Sequence, residues 1–216
     1  MSMRQHHSRV VDLSCRPARA ALAALCLAAA LPAAAQNAVT VYGGARFGGS
    51  FTDENDNDST IDLASSGAFS ASFEWPWGDG RQGQLFYSYQ PTSLPGSAFG
   101  RSGDVDVDLS YFHVGGRSFF DGTASTRAGY VVGGLGVTYF SPGLDGGSSE
   151  WRPSMNVGVG YQWPVAPNVM LRTELRGYVT LVNSSGGFLC SGGCAFAIAG
   201  DALWQGEAMV GLSVGF

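Results

Sequence analysis

The sequence predicts an all-β fold, a transmembrane antiparallel up-and-down β-barrel of eight strands. Three observations lead to it. Apolar and polar side chains alternate residue by residue over segments of about ten residues, as a wall with lipid on one side and a polar lumen on the other requires. The connections between those segments alternate between short and long. After Ala35 no apolar run approaches the roughly 20 residues of a membrane-crossing helix, so a membrane-embedded chain would have to cross with strands.

The first segment sets Val39, Val41, Gly43, Ala45, Phe47, Gly49 and Phe51 against Thr40, Tyr42, Gly44, Arg46, Gly48 and Ser50. From Ser154 to Trp163 one face is wholly apolar, with Met155, Val157, Val159, Tyr161 and Trp163 alternating with Ser154, Asn156, Gly158, Gly160 and Gln162. From Met170 to Val182, Leu171, Leu175, Val179 and Leu181 oppose Arg172, Glu174, Arg176, Tyr178 and Thr180, and this second face is charged. Five further segments, Ile61 to Trp75, Gly83 to Gln90, Val105 to Gly116, Arg127 to Phe140 and Trp204 to Phe216, complete a set of eight. Trp75 to Arg81, Arg117 to Ser125 and Pro164 to Asn168 are the short connections. Pro91 to Asp104, Ser141 to Arg152 and Asn183 to Asp201 are the long ones. With short turns periplasmic and long loops extracellular, an even strand count leaves both termini on the periplasmic side. Trp75, Trp77, Trp163 and Phe216 then form one interfacial girdle, and Phe51, Tyr89, Tyr139 and Trp204 the other. A soluble barrel would carry the opposite dressing, apolar within and polar without.

The N-terminus reads as a cleaved export signal. Arg4, Arg9, Arg16 and Arg19 precede an apolar run of 12 residues, Ala20 to Leu31, followed by Pro32 and the small residues Ala33-Ala34-Ala35. Cleavage after Ala35 would leave one domain, residues 36–216. A lipoprotein reading at Cys26 is set aside, because Leu25 stands where a small residue should precede the cysteine. The remaining 181 residues hold 8 Arg, no Lys and 16 acidic residues, a formal charge of −8. An acidic chain without lysine clusters is a poor nucleic-acid partner.

Alternation aims Arg46, Glu74, Asp108, Arg172, Glu174, Arg176 and Glu207 inward, into an eight-stranded interior only wide enough for side chains to fill it. Opposite charges there would pair, since isolated buried charges are severely penalised. A paired, packed lumen argues for a closed barrel and against a wide pore. Gly44, Gly48, Gly134, Gly136, Gly158, Gly160, Gly211 and Gly215 on the same face would make room for long arginines and aromatics, or simply permit tight curvature.

The stretch Val41-Tyr42-Gly43-Gly44-Ala45-Arg46-Phe47-Gly48-Gly49-Ser50-Phe51, the strand Leu85 to Gln90, Tyr111 to Gly116, and Tyr178 to Asn183 followed by Cys190 resemble the small outer-membrane β-barrel proteins of Gram-negative bacteria. More loosely they are similar to eight-stranded barrels of the OmpA and OmpW type. The chain closes on Val210, Leu212, Val214 and Phe216, which matches that family's C-terminal assembly signal of alternating apolar residues ending in Phe. The resemblance implies residence in the outer membrane among its lipids and lipopolysaccharide, and recognition by the outer-membrane assembly machinery. It names no surface ligand.

Candidates for chemistry are few. After cleavage His113 is the one histidine, and a Ser/His/acid hydrolase would have to be built around it. The alternation places it with Val105, Val107, Leu109 and Tyr111 on the lipid-facing side, and Gly115 stands where barrel lipid A deacylases carry their serine. Asp53 to Asp62 has acidic spacing reminiscent of a calcium loop, without its Gly at the sixth position or its Glu at the twelfth. Asp104, Asp106 and Asp108 share one strand face near the outer mouth, as cation ligands or hydrated carboxylates. No cofactor motif, zinc spacing or phosphate-binding glycine loop is present. Three functions compete: a non-enzymatic envelope protein with a structural or surface-interaction role, a porin-like conduit for small solutes or apolar ligands, and a lipid-modifying enzyme.

Cys190 and Cys194, the cysteines remaining after cleavage, stand as Cys-Ser-Gly-Gly-Cys in the long last loop. Three flexible residues let the two Cα atoms approach bonding distance, and an exported chain meets an oxidising compartment. An intramolecular disulfide is expected. Thiol labelling of the unreduced protein should leave both cysteines unmodified, whereas labelling of both would exclude the bridge.

Overall fold

A computed structural model describes residues 37–52, 60–95, 103–143, 149–182 and 202–216. The leader, the acidic segment 53–59 and both Cys190 and Cys194 lie outside the described residues. Eight long strands form the barrel: β1 (Ala38–Gly48), β4 (Ser66–Pro76), β5 (Arg81–Leu94), β6 (Val105–Phe119), β7 (Ala128–Pro142), β8 (Glu150–Ala166), β9 (Val169–Leu181) and β10 (Ala202–Gly215). Each is antiparallel to its sequence neighbour, and β1 closes the sheet against β10 from Ala38↔Gly215 to Gly48↔Gln205. A short hairpin of β2 (Ser50–Thr52) and β3 (Thr60–Asp62) stands apart from the barrel. The segment expected to run unbroken from Ile61 to Trp75 is therefore divided, and its barrel strand begins at Ser66. Closure leaves no free edge, so every strand's backbone groups find partners within the sheet.

One end of the barrel, here the turn end, carries both termini of the described barrel and three tight connections. The hairpin between β8 and β9 turns on Pro167 and Asn168, the latter in the left-handed conformation at φ 60°, which asparagine tolerates. The other, the loop end, receives the long connections. The wall is taller between β5 and β7, where Leu94 pairs with Val105 and Val107 with Pro142.

Outward residues along the barrel's middle are apolar and exposed, among them Val39, Val41, Phe73, Leu85, Val114, Leu135, Val157, Val159, Leu175, Val210 and Leu212. Aromatics gather at both ends of this band. Phe73 stacks on Trp75 and Tyr161 packs on Trp163 towards the turn end, while Tyr87, Phe112, Trp151 and Tyr139 form a contiguous chain of rings towards the loop end. Above that chain the dressing inverts. Asp104, Asp106 and Asp108 project outward, and Leu63, Leu94, Val105, Val107, Leu109, Phe140 and Leu203 fill the inside as an apolar plug.

The faces of β6 are consequently the reverse of the sequence expectation. Asp108 is exposed on the outside, where its Oδ1 accepts a hydrogen bond of 2.9 Å from the Tyr89 hydroxyl, and His113 is buried inside. The alternation Val105, Val107, Leu109 is apolar because it belongs to the interior plug at a level where the outside is polar. Lower on the strand, Phe112 and Val114 face outward and carry the opposite parity from that misread plug.

Interior glycines accommodate the aromatic filling at specific points. A Cβ on Gly160 would lie 2.3 Å from the Tyr130 ring, and one on Gly211 would lie 2.4 Å from the Tyr42 ring and 2.6 Å from the Val41 carbonyl oxygen. Gly211→Ala should therefore destabilise the folded barrel by about 1–3 kcal/mol through overpacking. Gly43→Ala, which adds a methyl where nothing lies within 4 Å, should be close to neutral. Denaturant midpoints of the two variants in one detergent decide it, and equal midpoints would contradict the packing argument.

Candidate functional site

The feature with the most chemistry is the filled interior. Five strands, β1, β4, β6, β9 and β10, bring four arginines and three glutamates together there among the described residues: Arg46, Arg117, Arg172 and Arg176 with Glu74, Glu174 and Glu207, all buried. Three clusters result, linked through shared partners.

At β1 and β10, Arg46 pairs with Glu207, its neighbour in the strand register, and also donates to Ser88 Oγ. Glu207 accepts further hydrogen bonds from the hydroxyls of Tyr178 and Ser70. The Arg46 guanidinium lies 4.7 Å from the Tyr111 ring centre and 4.5 Å from that of Tyr178. Its Nε and Nη1 have no hydrogen-bond acceptor, and the flanking π faces supply electrostatic partners in their place.

Glu74 of β4 is the busiest acceptor. It receives Arg117 at 3.4 Å, Arg172 at 3.2 Å, Ser72 Oγ at 2.6 Å, Gln84 Nε2 at 3.2 Å and Thr40 Oγ1. Arg117 also donates to the Tyr42 hydroxyl at 3.2 Å, approaches Glu174 at 3.8 Å and stacks 4.3 Å from the Tyr130 ring centre. The third cluster joins Arg176 to Glu174, with Arg176 donating in addition to Asn156 Oδ1 and Gln84 Oε1 and covering the Phe86 ring at 3.7 Å. Tyr130 donates to Glu174 Oε2 at 3.1 Å. Each carboxylate thus meets at least one arginine and a neutral donor, the condition under which charge is held away from water.

Of the seven expected inward charges, Arg46, Glu74, Arg172, Glu174, Arg176 and Glu207 meet in this network, and Asp108 does not. Arg117 belongs to it and escaped the sequence reading. It shares a face with His113, so the parity set by Phe112 and Val114 would have found it, had the apolar plug at the strand's other half not set the opposite phase. At the C-terminus Val210 and Leu212 are exposed on the outer wall and Val214 and Phe216 are half-exposed at the turn end, where the Phe216 N–H donates to the Asn37 carbonyl at 2.9 Å.

His113 Nε2 lies 2.9 Å from Ser154 Oγ, while its Nδ1 has no partner. The pair sits inside the barrel beside Tyr111 and Tyr178, and among the described residues no carboxylate orients the ring from its other side. Among the described residues no cluster of three or more His, Cys, Asp or Glu is placed to hold a metal ion.

No protein-family model and no curated protein matches the chain. Among solved structures it is similar to Neisserial surface protein A, at 16% identity and a TM-score of 0.57, covering 84% of this chain and 97% of that one. It is also similar to the outer membrane protein OprG from Pseudomonas aeruginosa, at 13% identity and a TM-score of 0.55, covering 84% and 96% of the two chains. At these identities the likeness concerns the fold: the chain has the closed eight-stranded architecture of small outer-membrane barrels.

The network makes a differential prediction. Glu74→Ala strands Arg117 and Arg172 in the interior, and removing one partner of a buried ion pair typically costs about 3–5 kcal/mol. Asp108→Ala removes an exposed carboxylate and should leave the denaturation midpoint unchanged. Comparable losses in the two variants would place Asp108 in the interior after all.

Proposed function

We propose that this chain is an integral outer-membrane protein whose role is structural or one of surface interaction, and that its interior is closed and non-catalytic. The observation that carries the reading is the inverted dressing of the barrel's middle. A continuous ring of exposed Val, Leu, Phe and Met surrounds an interior holding seven buried charges. A monomeric soluble protein rarely exposes a contiguous apolar belt of this kind, whereas hydrocarbon tails cover it without cost. The leader-like N-terminus and the closing series Val210, Leu212, Val214, Phe216 support delivery by export and barrel assembly. Lipopolysaccharide and the outer-membrane lipids are the partners that such a belt requires.

The charged layer speaks against the conduit reading. Arg46, Arg117, Arg172 and Arg176 reach inward from three strands, β1, β6 and β9, and side-chain packing fills an eight-stranded interior. The apolar plug above it adds a second barrier. The enzymatic reading has the Ser154–His113 contact as its best material, and that contact lacks an orienting acid and lies away from the outer wall where a lipid substrate would arrive. What remains available for interaction is the loop end, where the described outward carboxylates Asp62, Asp104, Asp106 and Asp108 give the surface an acidic character.

Two measurements test the proposal. Purified protein in planar bilayers should give no discrete conductance steps, and steady single-channel openings would favour the conduit. Val157→Arg, on the exposed belt, should lower barrel stability in lipid by about 2–4 kcal/mol, since it places a charge in mid-bilayer. Asn156→Arg faces inward and escapes that lipid penalty. A harmless Val157→Arg would remove the membrane from the picture.

A further inference from the structure

The turn end is the low side of the barrel between β6 and β7, whose last pairs are Phe119↔Tyr130 and, against β8, Ala128↔Gln162. Gln162 lies on the inner face only a few residues from the barrel mouth, yet it is fully buried. Its cover is the connection after Phe119. Gln162 Nε2 lies 3.2 Å from the Thr123 carbonyl oxygen, 3.1 Å from that of Ala124 and 2.9 Å from that of Thr126. The amide oxygen of the same side chain accepts from Arg172 Nε at 3.2 Å, and Arg172 is held in turn by Thr40 and Glu74.

We propose that residues 121–127 form an inward-folded strap that shuts the turn-end mouth, and that Gln162 is the latch tying it to the buried charge layer. The strap has the construction such a part needs. Its base is pinned by the Phe120 N–H donating to the Gly129 carbonyl at 2.9 Å, with the Phe120 ring exposed on the outer side. Its tip is a preformed turn, in which the Thr123 N–H donates to Thr126 Oγ1 at 2.8 Å and the Thr126 N–H to the Thr123 carbonyl at 3.1 Å. Gly122 reverses the chain at φ +86°, where a Cβ would lie 2.3 Å from Thr126 Oγ1. The turn can thus move as a unit, and among the described residues the hydrogen bonds that hold it inward come from one side-chain amide.

Open space borders the strap on both sides. A cavity of about 530 Å³ is lined by Ala124, Ser125, Gln82, Arg172 and Ser213, and another of about 390 Å³ by Ala124, Ser125, Gln82, Arg81 and Phe119. Displacing the strap joins the two into one vestibule with Arg172 and Gln82 in its walls. Gln82 is buried and its Oε1 has no hydrogen-bond partner, so the vestibule already presents an unused acceptor. The turn end is a place where the barrel can open without breaking a strand pair.

The test uses Ser213→Cys, a buried position in the vestibule wall, as a reporter in protein carrying Cys190→Ser and Cys194→Ser. Its labelling rate by a charged methanethiosulfonate is followed in the detergent-folded barrel, with heat-modifiable gel mobility as the check on folding. Gln162→Ala should raise the rate about tenfold, the effect of losing roughly one net hydrogen bond. Gln162→Glu keeps an acceptor for Arg172 but offers no N–H to the strap carbonyls, and it should raise the rate as much. An unchanged rate in both folded variants overturns the proposal, and so does a rise confined to Gln162→Ala, which would assign the effect to Arg172 packing. A measurement on the unsubstituted side chain is independent of how the variants fold. The Gln162 side-chain N–H signals should exchange with water at least tenfold more slowly than those of an exposed glutamine, and exchange at the exposed rate contradicts the latch.

Discussion

The pairing of β1 with β10 is the constraint on which the rest of this structure depends. Once Ala38 to Gly48 register against Gly215 to Gln205, no barrel strand has a free edge, and the sheet acquires an inside and an outside. Side chains must then choose between them with a period of two. Both the exposed apolar belt and the buried ion network follow from that division, because each depends on adjacent residues of one strand facing different environments.

The interior is organised along the barrel axis as well as around it. Towards the loop end lies the apolar plug of Leu63, Leu94, Val105, Val107, Leu109, Phe140 and Leu203. Below it come the Arg46–Glu207 pair between Tyr111 and Tyr178, and then the clusters centred on Glu74 and Glu174. At the turn end Arg172 hands over to Gln162 and, through it, to the strap carbonyls. Tyrosines and glutamines act throughout as neutral donors to the carboxylates and acceptors for the guanidinium groups, which lets four arginines and three glutamates share one buried space. The flat faces of Tyr111 and Tyr178 against Arg46, and of Tyr130 against Arg117, perform the same task for N–H groups that meet no oxygen.

Function follows from which surfaces this arrangement leaves free. In the proposed reading the belt meets lipid and the interior is taken up by its own packing, so contact with other molecules falls to the two ends. They differ in character. The loop end is tall between β5 and β7, acidic outside and apolar inside, whereas the turn end is shallow, polar and closed by a strap held through a side-chain amide.

Much of this was legible in the amino-acid order, because the apolar outer belt and the charged lumen impose opposite demands on neighbouring residues. The faces of β1, β8 and β9, the inward course of Arg46, Arg172, Glu174 and Arg176, and the number of long strands all follow from alternation alone. The rule works wherever one environment persists along the whole segment. On β6 it does not persist: the outside passes from the apolar belt to exposed carboxylates beside Tyr89, and the inside passes from ions to the apolar plug. A local pattern of Val-Asp-Val-Asp-Leu fits either orientation, so only the register with β5 and β7 decides that Asp108 points out and that His113 and Arg117 point in. The break between β3 and β4 and the folding of residues 121–127 onto Gln162 depend likewise on contacts between residues distant in sequence. Periodicity determined which residue pairs oppose each other across the wall, and the tertiary structure decided which of the two faced inward wherever both sides changed solvent along the strand.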